Sequence, residues 1–534
     1  MNRNAQVIVV GGGIAGLTAA TYTAKRGLET LLIEKNEEVG GLLNSFRREG
    51  FLFDGGVRAL ESAGIIKPML ADLGIDMPIV KSKVSVGIED DIIDVESEAD
   101  LALYEQQLRR MYPQSGEDIT RLIAAIGKVM ENMKILYGVD NPLFKNFRED
   151  REYFMRVYLP WMFKFLGLLG NIRRMSMPVE SYLETIVHDA SLRDIIDQHF
   201  FRNTPTFFAL SYFYLYTDYF YPMGGIGTLP ARLRDKFLSF GGSLLTGTKI
   251  DTVHPAQNTL IDDKGNQYRC ERLIWAADLK TLYRSLDLEG IPSSQLSRIE
   301  AEKKAILEAK TAESVFTVFM GVDIPPERFK AVSHGHFFYA PSRRGMGETH
   351  RSELKGLLER WSTVSKEHVL AWLERFCRLN TYEISIPVLK DPDAAPEGKT
   401  GVIASMLFDY ELVRRTKEDG WYEEFRERFE QNMIDVLSGS IWPWLKEHLM
   451  FRFSASPLSM EARVGSSGGS IVGWSFEDRI PVSSSMLGIN SVVKTSMLNV
   501  LKAGQWASSP TGVPTCILTG RIAADTAVKA LARR

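Results

Sequence analysis

A chain of 534 residues is too long for one ordinary hydrophobic core, so two domains or interleaved lobes are expected. Hydrophobic residues at 45% and charged residues at 25% are those of a globular protein, and a formal net charge of -3 gives no basic surface for nucleic acid. The three cysteines, Cys270, Cys377 and Cys516, stand far apart without CxxC or histidines at ligand spacing, so zinc, an iron–sulfur cluster and a disulfide framework are not expected and a reducing compartment fits. The N-terminus leads directly into a strand, with no room for a signal peptide, and no run of about eighteen apolar residues would span a bilayer. A cytoplasmic location follows as the expectation.

Val7-Ile8-Val9-Val10 runs into Gly11-Gly12-Gly13-Ile14-Ala15-Gly16 and, past an Ala-rich stretch, into Leu31-Leu32-Ile33-Glu34. The order reads strand, glycine turn, helix, strand. In such a unit Gly11 permits the tight turn, Gly13 lets backbone approach a pyrophosphate and Gly16 lets helix and strand pack closely. The helix N-terminus then holds the phosphates. Glu34 closes the second strand about twenty residues past the glycines, where a carboxylate accepts from ribose hydroxyls and repels a 2′-phosphate. A chance glycine turn is the plainer reading, and the flanking strands, spacing and acid weigh against it. The motif alone leaves FAD and NAD open.

Two further glycine segments follow, Lys35-Asn36-Glu37-Glu38-Val39-Gly40-Gly41-Leu42 and Phe51-Leu52-Phe53-Asp54-Gly55-Gly56-Val57-Arg58. Taken singly, each pair could merely turn the chain at a surface loop. Together the block resembles the N-terminal signature of the phytoene desaturase, carotenoid isomerase and retinol saturase group, relatives of the amine-oxidase-like flavoproteins. The resemblance implies that Gly11, Gly13 and Gly16, with Ile14 and Ala15, hold an FAD diphosphate and that Glu34 and Lys35 lie at the ribose. It also implies that Gly40, Gly41 and Leu42, then Gly56, Val57 and Arg58, run beside the diphosphate and the flavin. Many of the group carry Arg where this chain has Leu42, so a phosphate contact by that side chain is lost.

Residues 65–221 change to helical periodicity with scattered aromatics, as in 101–110 and 119–136, which marks a different domain. Within it, Tyr153-Phe154-Met155-Arg156-Val157-Tyr158-Leu159-Pro160-Trp161-Met162-Phe163-Lys164-Phe165-Leu166, followed by Arg173-Arg174, suits a helix lying in a membrane interface. A helix packed on the protein's own core, its basic residues snorkelling outward, fits the same residues. A second aromatic cluster, from Phe207 through Tyr216 to Tyr219-Phe220-Tyr221, suits core and also the wall of a pocket for a long apolar ligand.

At Tyr221-Pro222-Met223-Gly224-Gly225 the chain turns back to the nucleotide-binding lobe. A helix is expected from Leu229 to Phe240, ended by Gly241-Gly242, then a strand over 243–253 and a hairpin around Asp263-Lys264-Gly265-Asn266. By resemblance, the backbone of Ile250 recognises adenine, and the strand Leu273-Ile274-Trp275-Ala276-Ala277-Asp278 runs near the cofactor, with Ala277 as a contact; plain core fits that strand equally. From 288 to 457 the other lobe resumes, with strands over 314–322 and 382–387. Between them, 342–379 reads as a charged, helical, solvated cover. The end of the chain, Leu498-Asn499-Val500-Leu501-Lys502-Ala503-Gly504 and then Thr511-Gly512-Val513-Pro514, resembles the group's C-terminal flavin motif. It implies that Gly504, Gly512, Val513 and Pro514 lie at the ring, with a helix N-terminus that favours negative charge on reduced flavin. The group commonly has two glycines before the Val-Pro pair; this chain keeps one. The resemblance covers both ends and the middle, and it decides for FAD.

No second GxGxxG unit follows, which argues against a built-in NAD(P)H domain and for a diffusible electron donor or acceptor. His188, His199, His254, His334, His336, His350, His368 and His448 show no metal-ligand spacing, so no metal is expected. There is no GxSxG elbow or Cys–His pairing for nucleophilic catalysis. Flavin chemistry asks little of side chains beyond placing a C–H bond or alkene against the ring, so no catalytic residue is assigned. Arg58 is the first charged residue to test, although an ordinary structural cation also fits it. The expected fold class is α/β, a Rossmann-like FAD-binding domain (1–64, 222–287, 458–534) interleaved with an α+β substrate-binding domain (65–221, 288–457). The expected activity is oxidoreduction at carbon–carbon bonds of a long apolar isoprenoid or lipid, by desaturation, saturation or isomerisation, with peripheral contact to a membrane surface. An amine-oxidase-like enzyme acting on a polar amine is the alternative, and a non-catalytic flavin-binding protein a third.

Overall fold

The computed structural model describes residues 3–145, 150–347, 352–483 and 486–533; His350 falls outside them. The fold is mixed α/β and carries two large sheets. In the first, Ser243–Leu245, Thr30–Ile33, Arg3–Val10 and Gln267–Trp275 pair in parallel in that order, and Thr259–Asp262 and Ile250–His254 add an antiparallel edge. Val500–Lys502 pairs in parallel with the C-terminal half of Gln267–Trp275. The β-branched run of Arg3–Val10 is buried because helices cover the sheet, as a parallel sheet requires. Helix Ile14–Lys25 is buried as far as Ala24 and packs against helices Val513–Leu531 and Thr228–Ser239. Its small residues allow that double contact: a Cβ on Gly520 would stand 2.3 Å from the carbonyl oxygen of Ala15.

The second sheet is drawn from other parts of the chain. Its order is Leu449–Ala455, Ser314–Val322, Thr400–Phe408, Tyr382–Ser385, His336–Ala340, Val84–Ile88, Asp91–Val95, antiparallel except where His336–Ala340 meets Val84–Ile88. A small sheet of Leu60–Glu61, Tyr219–Pro222 and Ile79–Lys81 lies where the chain crosses between the two.

Three expectations are corrected. Residues 65–221 are not helical throughout, because 79–95 supplies three strands whose short alternation is masked by Gly87 and a run of acids. The strand expected over 243–253 is two strands at opposite edges of the first sheet, broken at Gly247 (φ 60°), where Glu34 N–H donates to Leu245 O and Thr248 N–H to Glu34 O. The segment 342–379 is more than a solvated cover. Helix Lys366–Leu379 buries Val369, Trp372, Leu373, Phe376 and Cys377, an i, i+3, i+4, i+7, i+8 stripe packed into the core beside Phe408 and Phe425.

Candidate active site

Gly11 follows the first strand with φ 103°, a left-handed conformation that favours glycine, and its N–H donates to Ile33 O at 2.8 Å. A Cβ on Gly16 would stand 1.8 Å from Gly11 O, so Gly16 is what lets the helix rest on the turn. A Cβ on Gly13 would meet no atom within 4 Å, which leaves that backbone face free for a ligand. Gly40 closes over the same turn, its N–H donating to Gly12 O at 2.8 Å, and Val57 N–H donates to Leu42 O at 3.1 Å. The three glycine segments are therefore stacked against one another.

Glu34 is buried, and its carboxylate accepts from Gly12 N–H at 2.6 Å and from Asn36 N–H at 2.9 Å. A carboxylate offers about four acceptor sites, so two remain for ribose hydroxyls. Lys35 beside it reaches Ala462 O at 3.2 Å, and burial lowers its ammonium pKa.

These segments open on a cavity of about 1630 Å³. Pockets of about 300–1,000 Å³ suit a single small ligand, so this one has room for a dinucleotide and a second molecule. All the cofactor contacts read from the sequence line it except Gly16, whose place is in the helix packing below the turn. Gly504, with φ 90°, and Gly512, the N-cap of helix Val513–Leu531, form its far cofactor-side wall, with Val513 and Pro514 in the first turn. Beyond them the wall becomes aromatic and apolar: Tyr137, Phe207, Phe208, Tyr212 and Tyr219, then Trp161 and Phe165 from helix Leu159–Arg174. The second aromatic cluster is thus divided, with Phe213 and Tyr216 in the core. Helix Leu159–Arg174 turns one face to the cavity while Phe163 and Leu166, on the other, are 66% and 53% exposed.

A charged cluster that sequence reasoning missed spans the junction of the two sheets. Arg58 is buried. Its guanidinium pairs with Glu383 at 3.0 Å, donates to Ser405 Oγ and lies 3.4 Å from Thr317 Oγ1. His336 Nε2 stands 3.2 Å from the other Glu383 oxygen. Lys390 Nζ donates to Arg58 O at 3.1 Å and Ser385 Oγ at 2.8 Å. Burial alone would raise the Glu383 carboxyl, but Arg58, and then His336 and His199, outweigh it and hold it down to about 2. Burial lowers His336 despite Glu383, and pushes Lys390 down to about 8. Arg58, Thr317, His336 and Glu383 line the cavity, so the structural cation read at Arg58 also borders the ligand space.

The glycine cradle, the ribose acceptor with sites to spare and the helix N-terminus at the opposite end fit an extended dinucleotide that ends in a ring, as FAD does. Fold and site together define a flavin-dependent oxidoreductase of mixed α/β fold. Residues 9–73 match the family model described as an NAD(P)-binding Rossmann-like domain. The chain is similar to an all-trans-retinol 13,14-reductase of Danio rerio, 20% identical over 95% of this chain and 84% of that protein. It is also similar to a prolycopene isomerase of an Oncidium hybrid cultivar, 22% identical over 84% of this chain and 72% of that one. Among solved structures, a putrescine oxidase redesigned in its cofactor binding shares the fold, with a TM-score of 0.61, 14% identity and full coverage of both chains. The resemblance to the desaturase, isomerase and saturase group therefore extends over nearly the whole chain.

Proposed function

We propose that this chain is an FAD-dependent oxidoreductase acting on carbon–carbon bonds of a long apolar isoprenoid or other lipid, by desaturation, saturation or isomerisation. The observation that carries the reading is the single cavity shared by the glycine cradle and the aromatic wall. Gly11, Gly13, Ile14 and Ala15 would hold the diphosphate, Glu34 and Lys35 the ribose and Ile250 the adenine. Gly40, Gly41, Leu42, Gly56, Val57, Arg58, Ala277, Gly504, Gly512, Val513 and Pro514 would border the remainder, with the ring toward Gly512. When bound, the flavin supplies hydride chemistry. The protein's part is to orient an extended apolar chain along Tyr212, Tyr219 and Phe208 and to exclude water, each buried CH₂ contributing about 0.8 kcal/mol. In this reading 1–64, 222–287 and 458–534 form the FAD lobe, 65–221 and 288–457 the substrate lobe, and electrons pass to or from a diffusible partner.

Membrane contact belongs to the same proposal. No helix of the described residues is long and apolar enough to cross a membrane. Phe163 and Leu166 face outward on the helix whose Trp161 and Phe165 line the cavity, and Arg173 and Arg174 end it. Such a helix can rest in a headgroup layer while a substrate passes from lipid to cavity. Product analysis after anaerobic incubation of the FAD-loaded chain with long polyenes tests the activity. A product with an altered double bond supports it; unchanged polyenes beside an oxidised small amine overturn it.

A further inference from the structure

Glu61 belongs to none of the cofactor segments, yet it stands where the two ends of the cavity meet. It lies on strand Leu60–Glu61 directly opposite Tyr219, and both residues line the cavity. A Cβ on Gly512 would stand 3.4 Å from Glu61 Oε1, so the carboxyl reaches the N-terminus of the helix that ends the cofactor wall. On the other side the Tyr219 ring stacks on His336, with centroids 5.3 Å apart and planes at 22°. Glu61 is therefore next to the place where a ring bound at Gly512 would meet a ligand lying along the aromatic wall.

The groups around it set its charge. Asp218 faces it from the helix before Tyr219 and accepts from the N–H groups of Ser62 and Ala63 at 2.9 and 3.2 Å. Tyr137, Tyr212 and Tyr219 face it from the substrate side and Cys516 from the last helix. No cation pairs with it among the described residues. Burial pushes its carboxyl up to about 7; its own backbone N–H opposes this and Asp218 adds to it. Glu383 is the contrast. Arg58 and His336 keep that carboxylate ionised and occupied, and so unable to give up a proton near neutrality.

We propose that Glu61 is the catalytic acid–base of this site, carrying the proton that accompanies hydride transfer across a carbon–carbon double bond. The inference rests on the function proposed above and names the group that completes it. In the saturating direction the π bond breaks. One carbon takes a hydride, with its electron pair, from reduced flavin, the neighbouring carbon takes the proton from the Glu61 carboxyl, and a carboxylate remains. In the desaturating direction a hydride leaves one carbon for oxidised flavin while the Glu61 carboxylate removes the proton from the next. A carboxyl that titrates near neutrality can serve both directions. The hydride alone would leave a charged carbon in an apolar cavity.

The test compares FAD-loaded wild type with Glu61→Gln and Glu61→Asp. Infrared difference spectra across pH read the carboxyl itself, independently of turnover. Wild type should show a protonated carboxyl band that titrates near pH 7 and is missing from Glu61→Gln. The protein is then reduced with dithionite and mixed anaerobically with all-trans-retinol, prolycopene and phytoene. Wild type should reoxidise with at least one of them and take up solvent deuterium into the product. Glu61→Gln should bind FAD equally and reoxidise about 10²–10⁴-fold more slowly, with Glu61→Asp partly recovering the rate. A Glu61→Gln protein that keeps the titrating band, or keeps the wild-type rate and deuterium uptake, overturns the role of Glu61 alone. A wild type that binds no FAD, or that alters none of the three polyenes with its flavin either reduced or oxidised, overturns the functional reading and this role with it.

Discussion

Removing the Glu34 carboxylate should separate the two tasks the structure gives it. It holds Gly12 N–H at 2.6 Å and Asn36 N–H at 2.9 Å, and it keeps two acceptor sites for a ribose. A hydrogen bond to a charged group is worth about 1.5–3 kcal/mol, so losing the ribose contact should weaken FAD binding about 10- to 140-fold at about 1.4 kcal/mol per decade. Glu34→Ala also leaves the buried Gly12 N–H without an acceptor, at about 1–3 kcal/mol of stability even without cofactor. Asn36 N–H is nearer the surface and can turn to water. Glu34→Gln keeps one oxygen for Gly12 and should therefore lose most of the affinity but little of the apoprotein stability. Fluorescence titration of apoprotein with FAD gives the first quantity, and urea unfolding of apoprotein the second. If Glu34→Ala unfolds more easily yet binds FAD as wild type does, the carboxylate only pins the glycine turn and the ribose assignment is wrong.

Two glycines three positions apart should behave oppositely: Gly13→Val should leave apoprotein unfolding unchanged and abolish FAD uptake, whereas Gly16→Ala, whose Cβ would stand 1.8 Å from Gly11 O, should lower the unfolding midpoint whether or not FAD is present. Burial lowers His199 from its ordinary 6.5 to about 4, so below pH 6.5 the unfolded chain binds the extra proton first and stability falls as pH drops toward 4. Urea midpoints against pH should show that acid limb in wild type and a shallower one in His199→Phe; parallel curves would remove His199 from the account. Glu61 has the opposite sign, because its raised pKa makes the folded state hold a proton that the unfolded chain releases, so stability falls as pH rises from about 4.5 through 7, and Glu61→Gln should flatten that limb. Phe163→Ser with Leu166→Ser should reduce co-sedimentation with anionic vesicles while leaving FAD content intact; equal pelleting of variant and wild type would assign that face to something other than lipid.

Much of the cofactor end was legible because its physics is local. Gly11, Gly13, Gly16 and Glu34 act through backbone conformation, close approach and charge within one strand–helix–strand unit, and spacing along the chain reports all three. The charged junction was not legible. Arg58, Thr317, His336, Glu383, Lys390 and Ser405 are far apart in sequence and meet only through sheet register, in which Ser405 stands opposite both Thr317 and Glu383 and His336 opposite Ser385. Glu61 was hidden for a related reason, since only the pairing of Leu60–Glu61 with Tyr219–Pro222 places it beside the aromatic wall. Helix Lys366–Leu379 did carry a signal, the apolar stripe from Val369 to Cys377, but the charges between its members make the average polar. The basic-aromatic stretch was legible as amphipathic, while which of its rings face the cavity and which face outward needed the fold.

The most direct measurement is an anaerobic spectral titration of the FAD-loaded chain, in oxidised and dithionite-reduced forms, with a long polyene and in parallel with a small amine such as putrescine. On the proposed reading a long polyene lies along the aromatic wall, so it should perturb the flavin bands on binding and change the flavin redox state, while the amine leaves both forms as they were. Rapid bleaching of oxidised flavin by the amine, with no response to any polyene in either form, would contradict the account.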